Sequence, residues 1–317
     1  MICKKPTSLF YNMVKIPELL MNLTVRERML PVMAIGLLCL FLHSCTAENL
    51  PISVKPAEPK IAVASVVGPS ETLFITLSNS FSALSAEDAN DLSQDAIDRL
   101  LIDNALVILE YEGFRDTLSS FFDVSGLYGT SLQSFNDYQP LKLTVFDSTS
   151  SETITSETKL MPQAQVDSIQ ITRRDTSVSF LTDFSYQIKD PDEDNFYVVH
   201  AYQLTAPDTS EADSVNNDLF FSDQGFLIYE QLVTDRAAEN GIIANNDVFE
   251  FSSPVDSAIV VITHVSEGYY RFLEARQRSG GIISSLANEP VNHPTNIENG
   301  VGYFSAHKPT VRLVGVD

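Results

Sequence analysis

The chain has 317 residues, with 42 Asp and Glu against 20 Lys and Arg, a formal charge of −22 at pH 7, three cysteines and no tryptophan. So acidic a surface repels phosphate backbones and anionic head groups, which argues against a nucleic-acid partner. Cys3, Cys39 and Cys45 all lie in the first 45 residues, so a chain beginning at Cys45 can form no internal disulfide and that residue needs another use.

Pro31 to Leu42 are twelve uninterrupted apolar or small residues, preceded by Arg26 and Arg28 and followed by His43-Ser44-Cys45. A basic flank, an apolar stretch of about 7–15 residues and a small residue before the cut make a secretory signal. Crossing a bilayer takes about 20 apolar residues. Leu42, Ser44 and Cys45 stand at −3, −1 and +1 of the cut and resemble the bacterial lipobox, in which the cysteine is acylated and becomes the mature N-terminus. Residues 1–44 are therefore read as a signal peptide, with Met21 as a candidate true start that gives a short basic head, and Cys45 as the lipidation site. Five basic and two acidic residues leave with the signal, so the remainder carries 15 Lys and Arg against 40 Asp and Glu, a net charge of −25.

Residues 45–60 hold three prolines and no hydrophobic period. They read as an extended tether. Ile61–Val67 and Glu71–Leu77 are dense in β-branched residues and face each other across Gly68-Pro69, as two strands of a hairpin would. The stretch 85–103 has helical spacing at Leu92, Ala96, Leu100 and Leu101 behind a candidate cap, Ser85, and is expected to be a loop and short helix inserted between strands. Leu106–Tyr111, Thr117–Val124, Leu141–Phe146 and Glu152–Lys159 continue the strands. Leu141, Leu143 and Val145 alternate with Lys142, Thr144 and Phe146, the pattern of a half-buried strand.

A second strand series runs from Asp167 to Val265, with acidic loops at 190–195 and 208–218. Ser266 then caps a short helix with Tyr269, Tyr270, Phe272 and Leu273 on its apolar face, and two brief strands close the chain. Strands separated by turns at such intervals indicate sandwiches. The expected fold is mainly β, with two β-sandwich-like domains of immunoglobulin or transthyretin type, at 61–161 and 162–317, and one or two short helices.

The segment Gly280–His307, GG-x5-LANEPVNHPTNIENGVGYFSAH, resembles the C-terminal signature of the domain-of-unknown-function 4249 family of Bacteroidota lipoproteins. The matching residues are Pro290, Asn292, Pro294, Asn296, Ile297, Gly300, Gly302, Tyr303 and Phe304. PKIAVASVVG near the start, TKLMPQAQVDSI at 158–169, the DP-x3-NFY turn at 190–197 and the helix SEGYYRFL agree as well. The resemblance spans essentially everything after Cys45, although the 85–103 insertion is longer than the family leads one to expect. It implies an outer-membrane lipoprotein of two β-rich domains, held to the membrane by its lipid and often encoded near TonB-dependent transporters, with no established activity. The signature itself reads as turn and strand-edge chemistry, its glycines free to take positive φ.

Asp190, Asp192 and Asp194 have the spacing that opens a calcium loop. Asn195 and Ala201 stand where an EF-hand needs Gly and Glu, which leaves these three as a weak Ca²⁺ candidate beside a plain solvated turn. His200, His264, His293 and His307 form no i,i+2 or i,i+4 pair and no HExxH. G-x-S-x-G, Walker A and C-x-x-C are missing after Cys45. No cofactor and no catalytic residue is expected. The function expected is a non-enzymatic binding or accessory component on the periplasmic or cell-surface side of the outer membrane, with a TonB-dependent transporter as partner. The alternatives are an extracytoplasmic hydrolase using paired carboxylates, or a structural adhesin.

Overall fold

The structure, a computed structural model, describes residues 58–80, 99–121, 124–174, 181–190, 194–204, 225–251, 256–278 and 293–316. The signal, Met21, Cys45 and most of the tether lie outside these residues, as do most of the expected 85–103 helix, the 208–218 loop, Asp192, Pro290 and Asn292. The first half follows the expected strands: β1 (Ile61–Val67), β2 (Thr72–Asn79), β3 (Ala105–Tyr111), β4 (Phe114–Ser120), β5 (Leu127–Ser131), β6 (Pro140–Asp147) and β7 (Glu152–Met161). β1 and β2 pair antiparallel from Ile61–Asn79 to Val67–Leu73. In β6 it is Leu141, Leu143 and Val145 that are buried and Lys142 and Phe146 that are exposed.

β4 starts three residues earlier than its composition suggests. Glu112 and Gly113 both take positive φ, 45° and 82°, which is the two-residue turn whose twist suits a tight hairpin. That turn delivers Phe114 directly opposite Tyr111. β5 is a further strand, inserted between β2 and β4. Leu101 bridges Ser78, and Ile102 is buried in the first core.

The second half contains β8 (Gln165–Arg173), β9 (Leu181–Lys189), β10 (Phe196–Leu204), β11 (Gly225–Thr234), β12 (Ala238–Glu239), β13 (Ile242–Glu250) and β14 (Ser257–Val265). The helix α1 (Glu267–Arg278) and the short strands β15 (Ile297–Glu298), β16 (Val301–Tyr303) and β17 (Ala306–His307) follow, and β18 (Pro309–Gly315) closes the described chain. Ser266 caps α1 by accepting the Tyr269 N–H at 3.3 Å. Glu267 in its first turn and Arg276 and Arg278 in its last suit the helix dipole. No helix among the described residues is long and apolar enough to cross a membrane.

Three sheets result. One has ten strands, in the order β15-β7-β6-β3-β4-β5-β2-β1-β16 with β17 beside β7; the others are β11-β10-β14-β18 and β12-β13-β9-β8. The first encloses an aliphatic core that includes Val63, Leu73, Leu109, Leu143 and Ile154. The two four-stranded sheets enclose a second core between them, centred on Phe184, Tyr186, Val199, Val260 and Ile262. Val198 and Val265, on the opposite face of β10 and β14, are covered by Leu273 of α1. The fold is thus mainly β and sandwich-like, with α1 the one α-helix with a described span and a single 3-10 turn at Asp235–Ala237.

The chain after α1 crosses both halves. β15 pairs with β7, β16 runs parallel to β1, and β17 runs parallel to β7. β18 then joins β14 in the second half. Ile297, Phe304 and Ala306 belong to the first core, which therefore takes residues from both ends of the described chain.

Candidate functional site

Strand directions place the site. β1 rises from the tether end at Lys60, and the antiparallel registers carry β3, β5 and β7 the same way. The Glu112-Gly113 turn, the start of β6 and the end of β7 consequently lie at the end of the first sheet away from the tether. Here a groove of about 610 Å³ runs between the outer face of β3, β6 and β7 and the start of α1. Its wall includes Tyr111, Lys142, Glu157, Lys159, Gly268 and Tyr303.

Charge across its floor alternates because strand pairing puts opposite charges side by side. Lys142 is registered against Glu110 on one side and Glu157 on the other. Its ammonium is 3.8 Å from Glu157, and Arg115 is 3.7 Å from Glu110. Such exposed pairs contribute little stability, about 0–1 kcal/mol each. They leave a floor that is polar and nearly balanced. The Tyr111 hydroxyl donates to Asp116 at 2.6 Å, and that bond, with some burial, raises the phenol above its usual pKa.

Tyr303 supplies the opposite wall. Its ring is 5.5 Å from both Tyr269 and Phe272 of α1. Its hydroxyl is hydrogen-bonded to Ser266, and burial raises its pKa. That hydroxyl occupies the space where a Cβ on Gly268 would be, so a larger residue there would have to push the Tyr303 side chain aside.

The described signature residues form a clasp behind this wall. The Asn296 side chain accepts the Phe304 N–H at 2.9 Å and donates to the Phe304 carbonyl at 2.8 Å and the Glu157 carbonyl at 3.2 Å. Its own carbonyl accepts the Ser156 hydroxyl at 2.9 Å. Ile297 and Phe304 are buried, while Pro294 is half-buried. Gly302, at φ 93°, presses against the Val63 carbonyl so closely that no Cβ fits. Gly300 needs no positive φ, but a Cβ there would stand 2.8 Å from the Ile61 carbonyl oxygen. The residue that takes positive φ in the turn is Asn299, at 62°.

Asp190 donates its N–H to the Gly241 carbonyl at 2.9 Å, and its carboxylate accepts the Tyr197 hydroxyl at 3.3 Å. Asp194 is exposed. Among the described residues no group of three or more His, Cys, Asp or Glu is arranged to hold a metal ion.

A half-buried polar cluster under α1 was not evident from sequence spacing. His200 lies opposite Glu230 on β11, Nε2 to Oε2 3.2 Å. Gln277 donates to Glu230 at 2.7 Å, and Arg276 is 3.7 Å away. The hydrogen bond from His200 leads in holding Glu230 down at about 2, helped by Gln277 and Arg276 and opposed by burial. Deeper in, the His307 ring stacks on Tyr269, centroids 5.9 Å apart. Among the described carboxyls with a resolved shift, Asp147, Asp183 and Glu230 all move downward. A general acid would need the opposite direction.

No match was found among curated proteins. Solved structures give distant likenesses. A chain described as "Cytokine receptor complex - Crystal form 2" is 10% identical, over 65% of this chain and 92% of its own, with a TM-score of 0.26. The chicken CNTN1 FN1-FN3 domains are 15% identical, over 67% of this chain and 64% of their own, with a TM-score of 0.22. A family described as "Domain of unknown function (DUF4249)" matches residues 47–312, from just after Cys45 through β15–β17 and most of β18, and the chain belongs to that family.

Proposed function

We propose that the protein is a lipid-anchored, non-enzymatic binding component of the outer membrane that works beside a TonB-dependent transporter. Cys45 carries the acyl anchor, and residues 46–57 give the body up to about 40 Å of reach at roughly 3.3–3.6 Å per residue. The observation that carries this reading is positional. The tether joins β1 at one end of the first sheet, while the groove lined by Tyr111, Lys159 and Tyr303, and the whole second sandwich, lie at the other. The end of the sheet that carries the groove is thus the one the tether does not enter. The aromatic wall at Tyr303 over a floor of mixed charge suits a mixed polar and apolar ligand, such as a peptide or glycan segment, better than a strongly charged one.

Two experiments test it. Cys45→Ala should abolish incorporation of an acyl probe and move the protein to the soluble fraction; retention on the membrane without acyl chains defeats the anchor. Native purification in detergent with mass spectrometry should recover a transporter in stoichiometric amount. Recovery of the protein alone removes the accessory role, and the hydrolase and adhesin readings then lead.

A further inference from the structure

The joint between α1 and the returning chain contains a buried histidine whose bonding is incomplete. His307 is 7% exposed, and its Nδ1 has no hydrogen-bond partner among the described residues. Two residues earlier the Ser305 hydroxyl is likewise buried and unpartnered. Such groups normally find partners, and leaving one without costs stability. His307 ends β17, the last paired position before the chain passes from the first sheet to the second sandwich.

The groups that face it are few. Tyr269 covers it from α1, with Arg276 one turn beyond Phe272, and Tyr303 stands beside Tyr269. From the second sandwich come His200 of β10, already bonded to Glu230 of β11, and His264 of β14. From the first sheet Leu160 and Met161 of β7 lie beside β17, and Ser65 of β1 bonds the neighbouring Ser305. Lys308 points away, to the Phe135 carbonyl and Asp137. Among the described residues no carboxylate pairs with the ring to favour its charged form, and the charges that act on it are those of His200 and His264.

We infer that His307 makes α1 an acid-released latch: lifting Tyr269 off the imidazole lets it take one proton from solvent, and the protonated ring keeps the helix from reseating. Burial first, then His200 and His264, hold the seated ring down at about 3, against 6.5 in the open. A depressed histidine stabilises the closed form above its open-state pKa and loses that contribution as pH falls toward its closed-state value. The window is therefore pH 6.5 down to about 3, with the opening constant rising about tenfold per pH unit. Ser266 and Gly268, at the start of α1, line the groove together with Tyr303. Release would dismantle that wall, so a consequence for binding rests on the groove reading, whereas the release itself does not.

The test is hydrogen exchange on the full-length protein between pH 6 and 4, corrected for intrinsic rates and read on amides of α1. The opening constant should rise by about 70-fold over these two units, while amides of β3 and β6 stay flat. His307→Phe should flatten the α1 response, and so should Tyr269→Ala, which keeps the histidine but uncovers it. His264→Gln, which removes the last-ranked of the influences on the seated ring, should reduce the α1 response far less than His307→Phe does. A wild-type rise below threefold, or an undiminished rise in both His307→Phe and Tyr269→Ala, overturns the latch. Binding by the groove, present or absent, does not enter the readout.

Discussion

The two halves solve the same problem in different ways. In the first sheet each outer strand is covered: β16 lies along β1, and β15 and β17 lie along β7. Its core is mainly aliphatic, and closure depends on a few backbone approaches that only glycine or an Asn amide permits. Among the described residues the second sandwich leaves β11, β12 and β18 as strands paired on one side, and β8 adds only a single bridge from Ile171 to Val316. It relies on rings: Phe184 has Tyr186, Tyr229 and Phe249 within 5.2–5.4 Å, and Phe251 stacks edge-on against Phe249. The lesson is that closing a sheet concentrates stability in a few irreplaceable positions. Packing rings between open sheets spreads it over many.

Gly302 gives the largest test of this contrast. Gly302→Ala puts a Cβ into the Val63 carbonyl at a positive φ and should cost about 3–5 kcal/mol. Urea denaturation measures it. Hydrogen exchange should locate the loss in β1–β7 more than in β9–β14, and equal loss in both would mean that the halves melt as one unit.

Asn296→Ala is next. It leaves the buried Phe304 N–H and carbonyl without their partners, a loss of about 2–3 kcal/mol. Asn296→Asp should recover only part, because a carboxylate can accept from the Phe304 N–H but cannot donate to its carbonyl. Full recovery would mean that the clasp acts by shape alone.

The smallest effect belongs to the second half. Glu230→Ala should cost about 1–2 kcal/mol at pH 7, with His200, Gln277 and Arg276 losing their acceptor. Glu230 is held below its ordinary 4.5, at about 2. Its contribution is complete above 4.5 and disappears as pH falls through about 2, so wild type and variant should converge in acid. A gap that persists at pH 2 assigns the effect to packing.

Local chemistry made much of this fold legible. β6 could be read from its alternation because one face of a paired strand meets the core. α1 could be read from Ser266 and the Tyr269–Leu273 face, since cap and period lie within one short segment. The groove could not be read, because Tyr111, Lys159 and Tyr303 meet only after β7 and β16 are placed. The exposed side of β6 named Lys142 as solvent-facing and no more.

The chain by itself determined most of the longer strands, though not β5, where α1 starts, that the surface is acidic, and that Asn296, Gly302 and Tyr303 belong to a recurring pattern. What those residues do was decided by tertiary structure. Ser65 reaches Ser305 across 240 positions of sequence, and Asn296 reaches the Glu157 carbonyl across 139. The same return buries His307 beneath Tyr269. Periodicity records which face of an element is apolar, but not which distant element will cover it.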